Sequence, residues 1–113
     1  MLMRMTTVAL IAAASFVLIP RLASAEDATT VELSFKDRKF DPVEVKAPAN
    51  KPLVLKVKNM SSENMEFESE PLQFETVVKP NAEALIKVKP QKPGRYVFFD
   101  DLHQETKGTL VVE

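Results

Sequence analysis

After residue 25 the sequence is a series of short apolar runs, most with a period of two, and that periodicity narrows the available folds more than any other feature. Thr30 to Phe35, Val43 to Val45, Leu53 to Val57, Met65 to Glu68, Phe74 to Val78, Ala84 to Val88, Arg95 to Phe99 and Thr109 to Glu113 are rich in Val, Phe, Leu and Ile. Such runs read as strands with one buried face, because successive side chains of a strand point to opposite sides. Turn-forming segments separate them: Asp41-Pro42, Ala47 to Pro52, Asn59 to Asn64, Lys79-Pro80-Asn81 and Pro90 to Gly94. No helical period is sustained here. The expected fold is therefore all-β, a small antiparallel Greek-key sandwich of seven to eight strands.

Alternation assigns side chains to faces. Leu53, Leu55 and Val57 share one face, and Lys56 and Lys58 the other; Met65 and Phe67 likewise oppose Glu66 and Glu68. Tyr96-Val97-Phe98-Phe99 has no polar face, which predicts a central strand covered on both sides. Gly94 and Gly108 are expected at turn and strand-end positions that need backbone freedom.

The first 25 residues differ from the rest: they hold 18 apolar residues and no acidic one. Arg4 supplies a positive start, Val8 to Ile19 an apolar stretch, and Ala23-Ser24-Ala25 a small-residue cleavage site. This predicts a Sec-type signal peptide over 1–25 and a single exported domain over 26–113, periplasmic and not inserted in the membrane after processing.

The remaining 88 residues carry 13 basic and 16 acidic side chains. With no basic excess, a nucleic-acid partner has no electrostatic footprint. The chain has no Cys and one His, so disulfides, thiolate nucleophiles, iron–sulfur clusters and multi-histidine sites are excluded. There is no serine–histidine–acid arrangement and no glycine-rich phosphate loop, so an enzyme acting alone is not expected.

What remains is carboxylate chemistry. From Asn59 to Val78 there is no Lys or Arg, yet Glu63, Glu66, Glu68, Glu70 and Glu75 lie there; Asp100, Asp101 and Glu105 follow the central strand. Half of the acids after residue 25 fall in these two stretches. Solvated loops and polar strand faces account for such runs, unless the two stretches meet; carboxylates brought together repel until a cation neutralises them.

A resemblance now attaches to particular residues. Pro93-Gly94-Arg95-Tyr96-Val97-Phe98-Phe99-Asp100-Asp101-Leu102-His103, followed by Gly108-Thr109-Leu110-Val111-Val112, resembles the last two strands and ligand loop of cupredoxins. Their usual pattern is P-G-x-Y-x-F-x-C-x-x-H and then G-x-L-V-V. Asp100 stands where the copper-binding Cys would be. Met65 stands in the position of the first His, and Phe40-Asp41-Pro42 is similar to the cupredoxin F-x-P entry segment. A blue-copper centre needs two imidazoles and a thiolate, which this sequence cannot supply.

Glu66-Phe67-Glu68-Ser69 together with Phe98 to His103 is closer to periplasmic cupredoxin-like proteins of the FtrB and EfeO type, which accompany iron permeases. That resemblance implies an accessory of a high-affinity iron uptake permease, one that binds periplasmic iron and assists its oxidation or handover. The partners it implies are the inner-membrane iron permease and other periplasmic components of its operon. The expected metal site has Glu66, Asp101 and His103 as its inner part, with Glu68 and Asp100 as further ligands or supporting groups. Met65 is a thioether candidate that the alternation places in the core. Glu66 and Glu68 sit about 7 Å apart along the strand, far for close chelation unless the strand twists. Carboxylate oxygens suit iron, as Fe(II) or Fe(III). Copper outside a blue-copper centre and manganese remain alternatives, as does a metal-free interaction module on the same fold.

Overall fold

The computed structural model describes residues 27–113; the expected signal peptide lies outside them. Among the described residues there are nine strands: β1 (Thr29–Lys36), β2 (Lys39–Asp41), β3 (Glu44–Ala47), β4 (Leu53–Asn59), β5 (Met65–Ser69), β6 (Phe74–Val78), β7 (Glu83–Val88), β8 (Gly94–Asp100) and β9 (His103–Val112). They form a four-stranded sheet in the order β2-β1-β4-β7 and a five-stranded sheet in the order β3-β9-β8-β5-β6. The all-β sandwich read from the sequence is the fold observed. Among the described residues no helix is long and apolar enough to cross a membrane.

The two sheets face each other through the alternating positions. Val31, Leu33 and Phe35 of β1 and Leu53, Leu55 and Val57 of β4 meet Met65 and Phe67 of β5, Phe98 of β8 and Leu110 of β9 in one buried core. Phe40 is central to it, with ring centroids 5.3 Å from Phe35, 5.7 Å from Phe67 and 4.9 Å from Phe98, the last edge-on. Tilted and edge-on pairs of this kind add about 0.5–1.5 kcal/mol each beyond the burial of their surface.

The observed fold departs from the expectation in four places. Strand β2 is only three residues long with a single apolar side chain. Its turn, Asp37-Arg38, has positive φ at both positions (51° and 56°) without a glycine to announce it. Two pairings, β1 with β4 and β3 with β9, are parallel rather than antiparallel. The chain leaves the first sheet after β2, contributes β3 to the second, and returns beside β1, so the pairing is set by a route that local sequence does not encode.

The third departure concerns β8. It is the middle strand of its sheet, but Val97 is 44% exposed and Phe99 only partly buried, so its outer face is open rather than covered. The fourth concerns Gly108, which lies within β9 opposite Phe98 and has no positive φ. A Cβ there would sit 2.3 Å from the Phe98 ring and 3.0 Å from the Val43 carbonyl oxygen. Close approach, not backbone freedom, accounts for this glycine.

Candidate metal centre

The acidic side chains converge because of the β5–β6 hairpin and the end of β8. In the hairpin, Gln73 takes positive φ and its N–H donates to the Glu70 carbonyl at 3.1 Å. Ser69 anchors the turn: its hydroxyl donates to Val97 O at 2.8 Å and accepts from Leu72 N at 3.3 Å. This geometry sets the register Glu66↔Val77 and Glu68↔Glu75. At the other end of β5, buried Asn59 closes the loop that leads into the strand. Its Nδ2 donates to Glu63 O (2.7 Å) and Val78 O (2.9 Å), while Oδ1 accepts from Ser61 N (3.0 Å).

Beside β5, Asp101 leaves β8 with its N–H donating to the Glu66 carbonyl at 2.9 Å. One carboxylate oxygen from each of Glu66, Glu68, Glu75 and Asp101 then lies within 4.8 Å of the others. The side chains lean together and close the gap that strand spacing alone would leave between Glu66 and Glu68. Glu66, Glu68 and Asp101 are partly buried and Glu75 is exposed. Gln104 Nε2 donates to Asp101 Oδ1 at 3.0 Å. Among the described residues, no salt bridge reaches any of the four.

Crowding by the neighbouring carboxylates makes Glu66 and Glu68 harder to ionise. Glu66 is pushed up from 4.5 to about 7, first by a hydrogen bond shared with Glu75, then by lost hydration and by the charges of Asp101, Glu75 and Glu68. Glu68 is raised as well, by burial first and then by Asp101, Glu75 and Glu70. A cation placed among the oxygens would remove both the repulsion and the need for a bridging proton. An all-oxygen donor set of this kind suits hard cations.

Asp100 and His103 belong to a different constellation. Asp100 is fully buried. Its Oδ1 accepts from Glu66 N (3.0 Å) and Leu102 N (3.1 Å), and its Oδ2 pairs with His103 Nδ1 at 3.0 Å. A carboxylate can only accept, so Nδ1 carries the proton of this bond, and in the neutral ring Nε2 is then the bare nitrogen. Among the described residues no buried side-chain nitrogen or oxygen lacks a partner, so the unpaired Nε2 reaches solvent. The His103 side chain is 21% exposed and faces a cleft of about 370 Å³ with Arg38, Met60 and Glu63 on its walls.

Of the residues singled out in the sequence, Glu66, Glu68 and Asp101 are brought together. Asp100 lies beneath them and fixes the Glu66 and Leu102 backbone. His103 turns toward the neighbouring cleft, and Met65 is wholly enclosed in the core. Glu75 completes the cluster. It lies in the same stretch without basic residues, but only the Glu68↔Glu75 register identifies it as a member.

A two-sheet sandwich in which Asp100 and His103 flank the β8–β9 turn beside an acidic strand is a cupredoxin-type architecture. The chain belongs to the cupredoxin-like domain family, whose model matches residues 7–112. Uncharacterized protein RP394 of Rickettsia prowazekii (strain Madrid E) is 37% identical over 83 residues; the match covers 73% of this chain and 66% of that protein. Among solved structures, the chain resembles the metal-binding domain of the Streptococcus pneumoniae D39 Cu(I)-exporting P-type ATPase CopA. The TM-score is 0.68 at 17% identity, covering 74% of this chain and 84% of that one. It also resembles auracyanin from Roseiflexus castenholzii, with a TM-score of 0.62 at 17% identity, covering 76% of this chain and 98% of that one. Likeness at this identity is a likeness of fold.

A blue-copper centre does not fit the residues present. The chain has no thiolate and one imidazole. Met65 is enclosed among apolar side chains, and Asp100 is already occupied by three N–H donors.

Proposed function

We propose that this is an exported metal-binding protein that holds a hard cation, iron foremost, on Glu66, Glu68, Glu75 and Asp101. Its place is the periplasm, as an accessory to an inner-membrane iron permease. The observation that carries the reading is the approach of four carboxylate oxygens to within 4.8 Å of one another on one sheet face. The two motifs that resemble the iron-permease accessories, Glu66 to Ser69 and Phe98 to His103, are the two segments that build and brace this face.

Several solved fold neighbours are described as copper proteins, two of them in a Cu(I) form. Cu(I) calls for thiolate or thioether ligands, whereas this cluster offers only oxygen. Anionic oxygens favour Fe(III) over Fe(II), so the cluster would hold iron more tightly in the ferric state. Capture and handover would then be the work of the face itself, with Glu75 its exposed member.

Calorimetric titration of the metal-free protein with Fe(II) under anaerobic conditions, Fe(III)-citrate, Mn(II) and Cu(II) tests the reading. One saturable iron site that weakens in Glu66→Gln and Glu75→Gln is expected. No saturable site for iron, or affinity that survives both substitutions, overturns it.

A further inference from the structure

The outer face of the five-stranded sheet exposes apolar surface that a bound cation does not explain. Val77, paired with Glu66, is 57% exposed, and Val97 is 44% exposed. Val97 and Phe99 are two residues apart on β8 and project to the same side. They form the floor of a groove of about 380 Å³. Glu68 and Glu70 wall it on the β5 side, Gln104 and Lys107 wall it on the β9 side, and Asp101 closes one end. Three carboxylates against one ammonium leave the groove negative, and the floor is apolar.

We infer that this groove docks a partner protein that presents an arginine flanked by apolar side chains. The aliphatic stem of an arginine matches the Val97–Phe99 floor. Its guanidinium can lie over the Phe99 ring and fork to the carboxylates of Glu68 and Asp101, where a metal ion or a purely apolar segment would satisfy only half of the lining. Lys107 repels a cation from the β9 wall and so orients the arginine toward β5.

A second copy of this chain does not supply the arginine from its described residues. Arg95 is already paired with Glu44, and Arg38 is flanked by Asp37 and Lys39. Glu68 and Asp101 are shared with the carboxylate cluster, but Val97 belongs only to the groove and Glu75 only to the cluster. Docking and metal binding can therefore be lost separately.

The test is ¹⁵N NMR titration of the metal-free protein with the peptide acetyl-Ala-Leu-Arg-Leu-Ala-amide and its Arg→Gln counterpart. The expected result is saturable shifts confined to Val97, Phe99, Asp101, Gln104 and their neighbours, with the arginine peptide binding at least about fivefold more tightly. The uncharged Val97→Gln is expected to abolish these shifts and leave metal affinity unchanged, while Glu75→Gln weakens metal binding and leaves the shifts in place. The inference is overturned by equal binding of the two peptides, or by shifts on the Val54–Leu85 face of the other sheet. Shifts at Val97 and Phe99 that appear on concentrating the protein alone also overturn it, since they make a second copy the occupant.

Discussion

The backbone N–H of Glu66 donates to the Oδ1 of Asp100 at 3.0 Å, across a sequence separation of 34 residues. This bond ties the strand that carries two of the clustered carboxylates to the turn that carries a third. Asp101 returns a bond to the Glu66 carbonyl at 2.9 Å, so the two segments hold each other from both sides. The buried carboxylate braces this end of the sandwich.

Removal of that brace should therefore be costly. Asp100→Ala strands the N–H groups of Glu66 and Leu102 and is expected to lower unfolding stability by about 3 kcal/mol or more, read from chemical denaturation. Asp100→Asn keeps an oxygen for both N–H groups but turns a donor toward His103. Its expected signature is a switch of the imidazole proton from Nδ1 to Nε2, visible in ¹⁵N shifts of the ring at a pH where it is neutral.

The carboxylate cluster makes stability fall with rising pH in the metal-free protein. Glu66 is raised from 4.5 to about 7 in the folded chain, so between those values the native state binds more protons than the unfolded state. Stability is then highest below about pH 4.5 with respect to this group, declines toward pH 7, and levels off above it. Glu68, also raised, acts in the same direction. Thermal melts from pH 4.5 to 8 should show the decline, and Glu75→Ala should flatten it.

Metal binding should show the opposite dependence, because the cation competes with the proton that Glu66 holds. Iron affinity is expected to rise through pH 7, with proton release on binding that calorimetry in buffers of different ionisation enthalpy would register. Glu75→Gln should weaken binding by about tenfold or more, whereas His103→Ala should change it by less than about threefold. Equal losses in the two variants would place the imidazole among the ligands.

Gly108 offers a test of packing that is separate from the site. A methyl group there meets the Phe98 ring at 2.3 Å, and Phe98 is held by Phe40 and Phe67 at centroid distances of 4.9 and 5.2 Å. Gly108→Ala is expected to destabilise by about 1–3 kcal/mol, as overpacking does, and Gly108→Ala with Phe98→Leu should recover part of the loss in denaturant melts.

The sequence alone determined the sandwich and the faces on which the residues of β4 and β5 lie, because side-chain alternation is a local property of an extended chain. Met65 and Phe67 had to point inward if Glu66 and Glu68 pointed outward, and the stretch without Lys or Arg marked where negative charge would gather. Only the tertiary structure decided which carboxylates meet. Glu75 joins through a hairpin register, and Asp101 through a turn 35 residues from Glu66. Asp100 and His103, adjacent to Asp101 in the sequence motif, form a separate hydrogen-bonded pair. The parallel β1–β4 and β3–β9 pairings were likewise hidden, since they depend on a chain path between sheets. Periodicity fixes the direction of a side chain, but its neighbours depend on strand pairing, which is made by contacts distant along the chain.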